Sequence, residues 1–175
     1  NELIWAWNQA LWDAPSKVLA KDEPDPHLLL TTQLAPELKN VSKELIMISA
    51  YFVPGQPGLV YLTGRADAGV SVSLLTNSLE ATDVPAVHGG YAPYRKALLE
   101  HGVKLYELRR QPGDNDGSGP HVFYSKSFRG SDSSLHSKAM IFDRQKSFIG
   151  SFNFDPRSVL WNTEVGVLVD SPELA

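Results

Sequence analysis

The sequence predicts a layered α/β domain, and three observations carry that expectation. Strand-length apolar runs alternate with segments whose apolar residues recur at helical spacing, in the order β-α-β-loop-α-β. Further alternating runs follow in the last 45 residues. At 175 residues, with 42% hydrophobic and 21% charged, the chain is long and apolar enough to bury a sizeable core.

Taken in order, residues 1–36 read as a connecting segment, acidic and broken by Pro15, Pro24, Pro26 and Pro36. Within it IWAWNQALW, carrying Trp5, Trp7 and Trp12, is aromatic enough for a docked helix, and KDEPDP is a loop. The regular domain is expected over residues 37–175. LIMISAYF (45–52) is a continuous apolar run suited to a strand buried on both faces, stopped by Pro54 and Gly55. Gly58 to Ala68 places Leu59, Leu62 and Ala66 at helical spacing, with Gly69 as C-cap. VSVSLLT (70–76) is the next strand, residues 77–90 a loop, and Tyr91 to His101 a helix ending at Gly102. VKLYEL (103–108) is a third strand. QPGDNDGSGP (111–120) has the composition of a mobile surface loop. HVFYSKSFR (121–129) interleaves Phe123, Tyr124 and Phe128 with Lys126 and Arg129. SLHSKAMIFD, KSFIG (146–150) and EVGVLV (164–169) complete the sheet, and no helix follows to cover the last strand. The boundaries read as those of a fragment.

Composition narrows the function. No run approaches the ~20 apolar residues of a membrane-spanning helix, and the opening residues lack the basic start and apolar core of a signal peptide. With no cysteine, disulfides and thiolate metal sites are excluded. A net charge of −4 argues against a general nucleic-acid binder. The charge is uneven: −5 over residues 1–94, +4 over 95–157 and −3 over 158–175. Positive charge therefore gathers where an anionic substrate or membrane surface would favour it.

Chemistry concentrates in Leu135 to Val169. His136-x-Lys138-xxxx-Asp143 is followed by Gly150-Ser151-x-Asn153 and then Glu164. If the first part is a strand, period-two alternation puts His136 and Lys138 on one face, roughly 6.6 Å apart. A nucleophile or proton donor beside a fixed cation suits a phosphoryl group, and Ser151 and Asn153 add hydrogen-bond donors for its oxygens. Asp143 falls on the opposite face and reads as structural, tying the strand end to its neighbours. His136, Asp143 and Glu164 lack any recognised metal-ligand spacing, so no metal or other cofactor is expected. His88, Tyr91, Tyr94 and Arg95 sit at a loop-to-helix junction and are candidates for a headgroup pocket. Arg157 is a phosphate candidate, with an internal salt bridge the blander alternative.

This pattern resembles the HxKxxxxD signature of the phospholipase D superfamily with its trailing GSxN and acidic residue. GSFNFDPRS…NTEVG, AYFVP, LLTNSLEATDVPAVHGGYAPYRKALL and GVKLYEL are similar to the second half of a bacterial C-type cardiolipin synthase. The resemblance implies a layered α/β/α domain with a central mixed sheet. It also implies metal-free phosphatidyl transfer between glycerophospholipids through a phosphohistidine. Such enzymes use two imidazoles, one attacking phosphorus and one protonating the departing alkoxide. His136 would be one of them, in the acid/base role. Lys138 and Asn153 would hold phosphate oxygens with help from Ser151, Gly150 would belong to the motif, and Glu164 would hydrogen-bond the imidazole. His27, His88, His101 and His121 each lack a Lys two residues on. The implied partner is therefore a first-half domain with its own motif, or a second subunit. Implied substrates are phosphatidylglycerol and, as a further candidate, phosphatidylethanolamine, reached by peripheral contact with a bacterial inner membrane. His121 to Arg129 is the segment expected to touch that membrane. The alternatives are a one-motif homodimeric phosphodiesterase or nuclease, or an isolated fragment without turnover.

Overall fold

A computed structural model describes residues 3–19, 25–109 and 134–175. Its frame is a seven-stranded mixed sheet in the order β1-β7-β6-β5-β2-β3-β4, with flanking helices. The strands are β1 Trp7–Trp12, β2 Glu44–Ser49, β3 Ser71–Asn77, β4 Lys104–Leu108, β5 Lys138–Phe142, β6 Lys146–Gly150 and β7 Val165–Asp170. β2, β3 and β4 run parallel, and every other neighbouring pair is antiparallel. The helices are α1 Leu30–Asn40, α2 Gly55–Asp67, α3 Pro85–Tyr91, α4 Arg95–Glu100 and α5 Pro156–Leu160.

The three parallel strands alternate with helices because parallel neighbours need a crossover. One sheet face sends Leu45, Met47, Val72, Leu74, Met140, Phe142, Phe148 and Leu168 into a common core. Leu30 and Leu34 of α1, Leu62 of α2 and Leu98 of α4 meet them there, each 1% exposed or less. Burial of each such side chain is worth about 1.5–3 kcal/mol. Gly69 and Gly102 close α2 and α4 with φ of 91° and 81°, the left-handed geometry that glycine adopts without a Cβ penalty.

The N-terminal region departs from expectation. IWAWNQALW does not form a docked helix: Trp7–Trp12 is an edge strand paired antiparallel with β7. Only Leu11 of that strand is buried, so period-two alternation leaves no trace in the sequence. Pairing with a strand over 150 residues away decides its conformation instead. β1 also covers the flank of β7 that was expected to stay bare. α1 crosses the anticipated boundary at residue 37, so β1 adds to the sheet and α1 to the core.

Two further elements differ. Residues 77–90, read as loop, contain most of α3, which Pro85 opens at a position needing no amide hydrogen. The single helix expected over 91–101 is divided by a 3₁₀ turn at Ala92–Tyr94, where Pro93 has no N–H to give. The expected loop at 111–120, the aromatic-basic segment 121–129 and most of KDEPDP lie outside the described residues.

Candidate functional site

β2 and β5 stop pairing at Ser49 and Lys138, and the site lies just beyond that point. Lys138 is the first residue of β5, whereas His136 belongs to the extended lead-in rather than to the strand. The two therefore differ in a way strict alternation did not anticipate: Lys138 is buried and His136 exposed. They nevertheless share an open depression of about 440 Å³ with Gly150, Ser151, Val165, Gly166 and Val167. The Lys138 ammonium donates to the His136 carbonyl at 2.6 Å and lies 6.0 Å from the centre of the Tyr51 ring. Burial lowers its pKa, while the carboxylates of Glu164, Asp83 and Asp155 pull the other way. The result is a buried cation beside an open depression.

Gly150 and Gly166 are directly opposed across β6 and β7. A Cβ on Gly150 would lie 2.4 Å from the Val165 carbonyl oxygen, and one on Gly166 would lie 2.3 Å from the Phe148 ring. Neither position has room for a side chain, because the buried Phe148 ring and the backbone of β6 and β7 fill that space. Ser151 follows at once, and its hydroxyl donates to the Glu164 carboxylate while accepting from the Val165 amide at 3.1 Å. Asn153 is buried and does not line the depression. Its Oδ1 accepts from the Tyr51 amide at 3.1 Å, and its Nδ2 donates to no described residue.

Glu164 is buried at the head of β7, and the expected bond to His136 is absent among the described residues. β6 stands between β7 and β5 in the sheet, so Ser151, at the near end of β6, reaches the carboxylate first. Asp143 sits at the opposite end of β5 from Lys138, with φ of 54° in the β5–β6 turn. Its carboxylate accepts from the amides of Ser42, Lys43 and Glu44 and from the Ser42 hydroxyl, at 2.7–3.2 Å. Burial pushes its pKa up, but the hydrogen bonds outweigh burial and hold it below the ordinary carboxylate value. His136, Asp143 and Glu164 are thus not brought together, and no cluster of three metal-ligating side chains occurs among the described residues.

Three of the four headgroup candidates stay in contact: His88 meets the Tyr91 ring edge-on at 5.6 Å, and the Arg95 guanidinium lies 5.8 Å from the centre of that ring. Tyr91 is 1% exposed and packs edge-on against Phe52 at 5.4 Å, while Tyr94 leans on the core. Burial, with Glu107 nearby, raises the Tyr91 phenol far above its usual range. His88 and Arg95 alone line a second depression of about 380 Å³ with Ser78, Leu79, Glu80, Glu107 and Arg109. Arg95 approaches Glu107 at 3.1 Å. Arg157 is exposed and forms no salt bridge among the described residues; its neighbour Asp155 caps α5 through the amides of Arg157 and Ser158.

Several supporting residues were missing from the sequence reading. Asp13 accepts from the amides of Leu30 at 2.6 Å and Glu164 at 2.8 Å, and from the Lys17 ammonium at 2.7 Å. Lys17 also donates to the Ser158 carbonyl at 2.9 Å, and both side chains of this pair are 1% exposed. Asn77 binds the backbone of Leu135 and Ala50. Tyr51 donates to Asp83 at 2.8 Å, and burial together with that carboxylate pushes its phenol up to about 12. Asp155-Pro156 was the one legible signal among these, an N-cap followed by proline at the first helical position.

Comparison with known proteins adds to this geometry. The family described as cardiolipin synthase, PLD-like domain, matches residues 34–175. Cardiolipin synthase C of Escherichia coli (strain K12) is 43% identical over 174 residues, covering 99% of this chain and 35% of that protein. An uncharacterized protein of Helicobacter pylori (strain ATCC 700392 / 26695) is 35% identical over 94% of this chain and 30% of its own length. The chain thus spans about a third of the curated relatives it matches. Among solved structures, Nuc of Salmonella typhimurium, a phospholipase D family member, superposes with a TM-score of 0.63 at 16% identity. That match covers 97% of this chain and 87% of Nuc. Phosphatidylserine synthase of Haemophilus influenzae gives 0.63 at 16% identity, over 95% of this chain and 35% of its own. These two likenesses concern the fold.

Proposed function

We propose a function from one premise: the chain belongs to the cardiolipin synthase, PLD-like domain family. It supplies one half of a phosphatidyltransferase site that moves phosphatidyl groups between glycerophospholipids, with phosphatidylglycerol as donor or acceptor and phosphatidylethanolamine as a further candidate. The observation that carries this reading is the pairing of an exposed imidazole, His136, with a buried ammonium, Lys138, at the rim of one open depression.

The chemistry follows from those positions. One imidazole nitrogen attacks phosphorus, the bond to the leaving alkoxide breaks, and a second imidazole donates the proton that the alkoxide takes up. His136 serves as one of the two, with its acid/base role preferred. The second comes from a partner domain carrying its own HxK pair, or from a second copy of this chain. Lys138 neutralises charge developing on the non-bridging oxygens, and its burial strengthens that attraction. Asn153, whose Nδ2 is uncommitted among the described residues, supplies a further donor after a small side-chain rotation. No helix of the described residues is long and apolar enough to cross a membrane. Access to lipid is proposed to be by peripheral contact at a bacterial inner membrane.

The test is reconstitution. The chain alone, the chain mixed with a first-half domain, and the same mixture carrying Lys138→Met are assayed for cardiolipin formation from phosphatidylglycerol vesicles. Turnover only in the unmodified mixture supports a two-part site. Turnover by the chain alone in proportion to its dimer supports the homodimeric phosphodiesterase reading. Cardiolipin formation by a demonstrated monomer would overturn both.

A further inference from the structure

The His136 imidazole has no hydrogen-bond partner among the described residues, and it sits outside the strand ladder, which ends at Ser49 and Lys138. Its placement must then come from its backbone. Two contacts fix that backbone. The Lys138 ammonium holds the His136 carbonyl. The second acts one residue earlier, where the Asn77 Oδ1 accepts from the Leu135 amide at 2.9 Å and its Nδ2 donates to the Leu135 carbonyl at 3.0 Å. The same Nδ2 donates to the Ala50 carbonyl at 3.1 Å.

We propose that Asn77 is a positioning residue for His136, a side-chain bracket that replaces the missing strand ladder where the lead-in to β5 crosses the end of β2. The proposal rests on the phosphoryl-transfer reading of His136 given above. Asn77 is the last residue of β3, two strands from β5, and is 4% exposed. Its carboxamide offers one carbonyl and one amino group, and the three contacts above use both N–H donors and one acceptor position. Gripping both the N–H and the C=O of Leu135 imitates a strand partner, which fixes the direction in which the next residue leaves. Aspartate has the shape but no donor. Serine has too few groups, and glutamine reaches one methylene too far. Burial also makes the bracket hard to replace by water, since an abandoned backbone group there costs free energy.

The test compares Asn77→Ala, Asn77→Asp and Leu74→Ala, the last removing a core side chain from the same strand as a control for lost stability. Turnover is measured in the reconstituted assembly and amide exchange by NMR in the 175-residue chain. Asn77→Ala is expected to lower kcat by about 10²-fold, the order expected for a misplacement near 1 Å, with KM changing less than threefold. It should also speed exchange at Leu135 and His136 at least tenfold while leaving Met140 and Phe142 protected. Asn77→Asp keeps an acceptor for the Leu135 amide but sets a carboxylate oxygen against the Leu135 and Ala50 carbonyls, and should lose at least as much kcat as Asn77→Ala; it decides the matter if Asn77→Ala does not fold. Leu74→Ala should lose stability with kcat within threefold. If the Asn77 variants lose no more kcat than Leu74→Ala, or Leu135 exchange is unmoved, the bracket is wrong. Absent turnover in the wild-type assembly counts against the enzyme reading, and the Leu135 and His136 exchange rates then decide the bracket alone.

Discussion

Replacing Asp13 with alanine should be the most damaging single change outside the hydrophobic core. Its carboxylate is the common acceptor for Lys17, Leu30 and Glu164, and it ties β1 and the start of α1 to the head of β7. Asp13→Ala strands the Lys17 ammonium with only the Ser158 carbonyl. Breaking such a buried pair from one side costs about 3–5 kcal/mol. Two amides also lose their acceptor, at about 1–3 kcal/mol each where water cannot substitute. Against a total stability of about 5–15 kcal/mol, the variant should be largely unfolded or close to it at 25 °C. Lys17→Met keeps both amide bonds to Asp13 and should cost less. Adding Asp13→Asn to Lys17→Met should cost less than the sum of the two single changes, because neither charge is then left alone. Urea unfolding followed by far-UV circular dichroism measures all four. A cost below about 1 kcal/mol for Asp13→Ala, the scale of an exposed pair, would refute a buried anchor and detach β1 from the account of the site.

Asp143 offers a pH test. Its folded pKa is depressed, so its contribution is present above the unfolded value near ~3.9 and is lost as pH falls through the folded one. Asp143→Asn should therefore lower the urea midpoint most at neutral pH, with the gap to wild type closing below about pH 4; a constant gap would contradict this. Gly166→Ala drives a methyl into the Phe148 ring and should cost about 1–3 kcal/mol by thermal unfolding, reshaping the depression as well; a neutral result would mean that β6 and β7 can spread. Glu164→Gln removes a carboxylate that supports the Lys138 charge. Phosphate affinity measured by calorimetry should then fail at lower pH than in wild type; an unchanged alkaline limb would show that Glu164 does not support the Lys138 charge.

The strands and helices that sequence made legible are those whose burial is periodic and local. KSFIG matches β6 residue for residue, and the parallel strands lie within one residue of expectation at most ends; burial alternates along β2 and β3. β1 escaped because an edge strand with one buried residue has no period to detect. The motif gave the identity of the chemical groups for a similar reason: His136, Lys138, Ser151 and Glu164 fall within 29 residues. Their supports do not. Asp13 and Glu164 are 151 residues apart, Ser42 and Asp143 are 101, and Asn77 and Leu135 are 58. Each is a polar contact between segments that meet only once the sheet has formed, and such a contact leaves no spacing behind. Alternation has a related limit. It assigns a side chain to a face, yet the partner it reaches depends on which strand intervenes. The resemblance paired Glu164 with His136, but β6 lies between β7 and β5, and Ser151 directly follows its last residue, Gly150. The hydroxyl takes the carboxylate, and the imidazole is left to be aimed by the backbone that Asn77 and Lys138 hold.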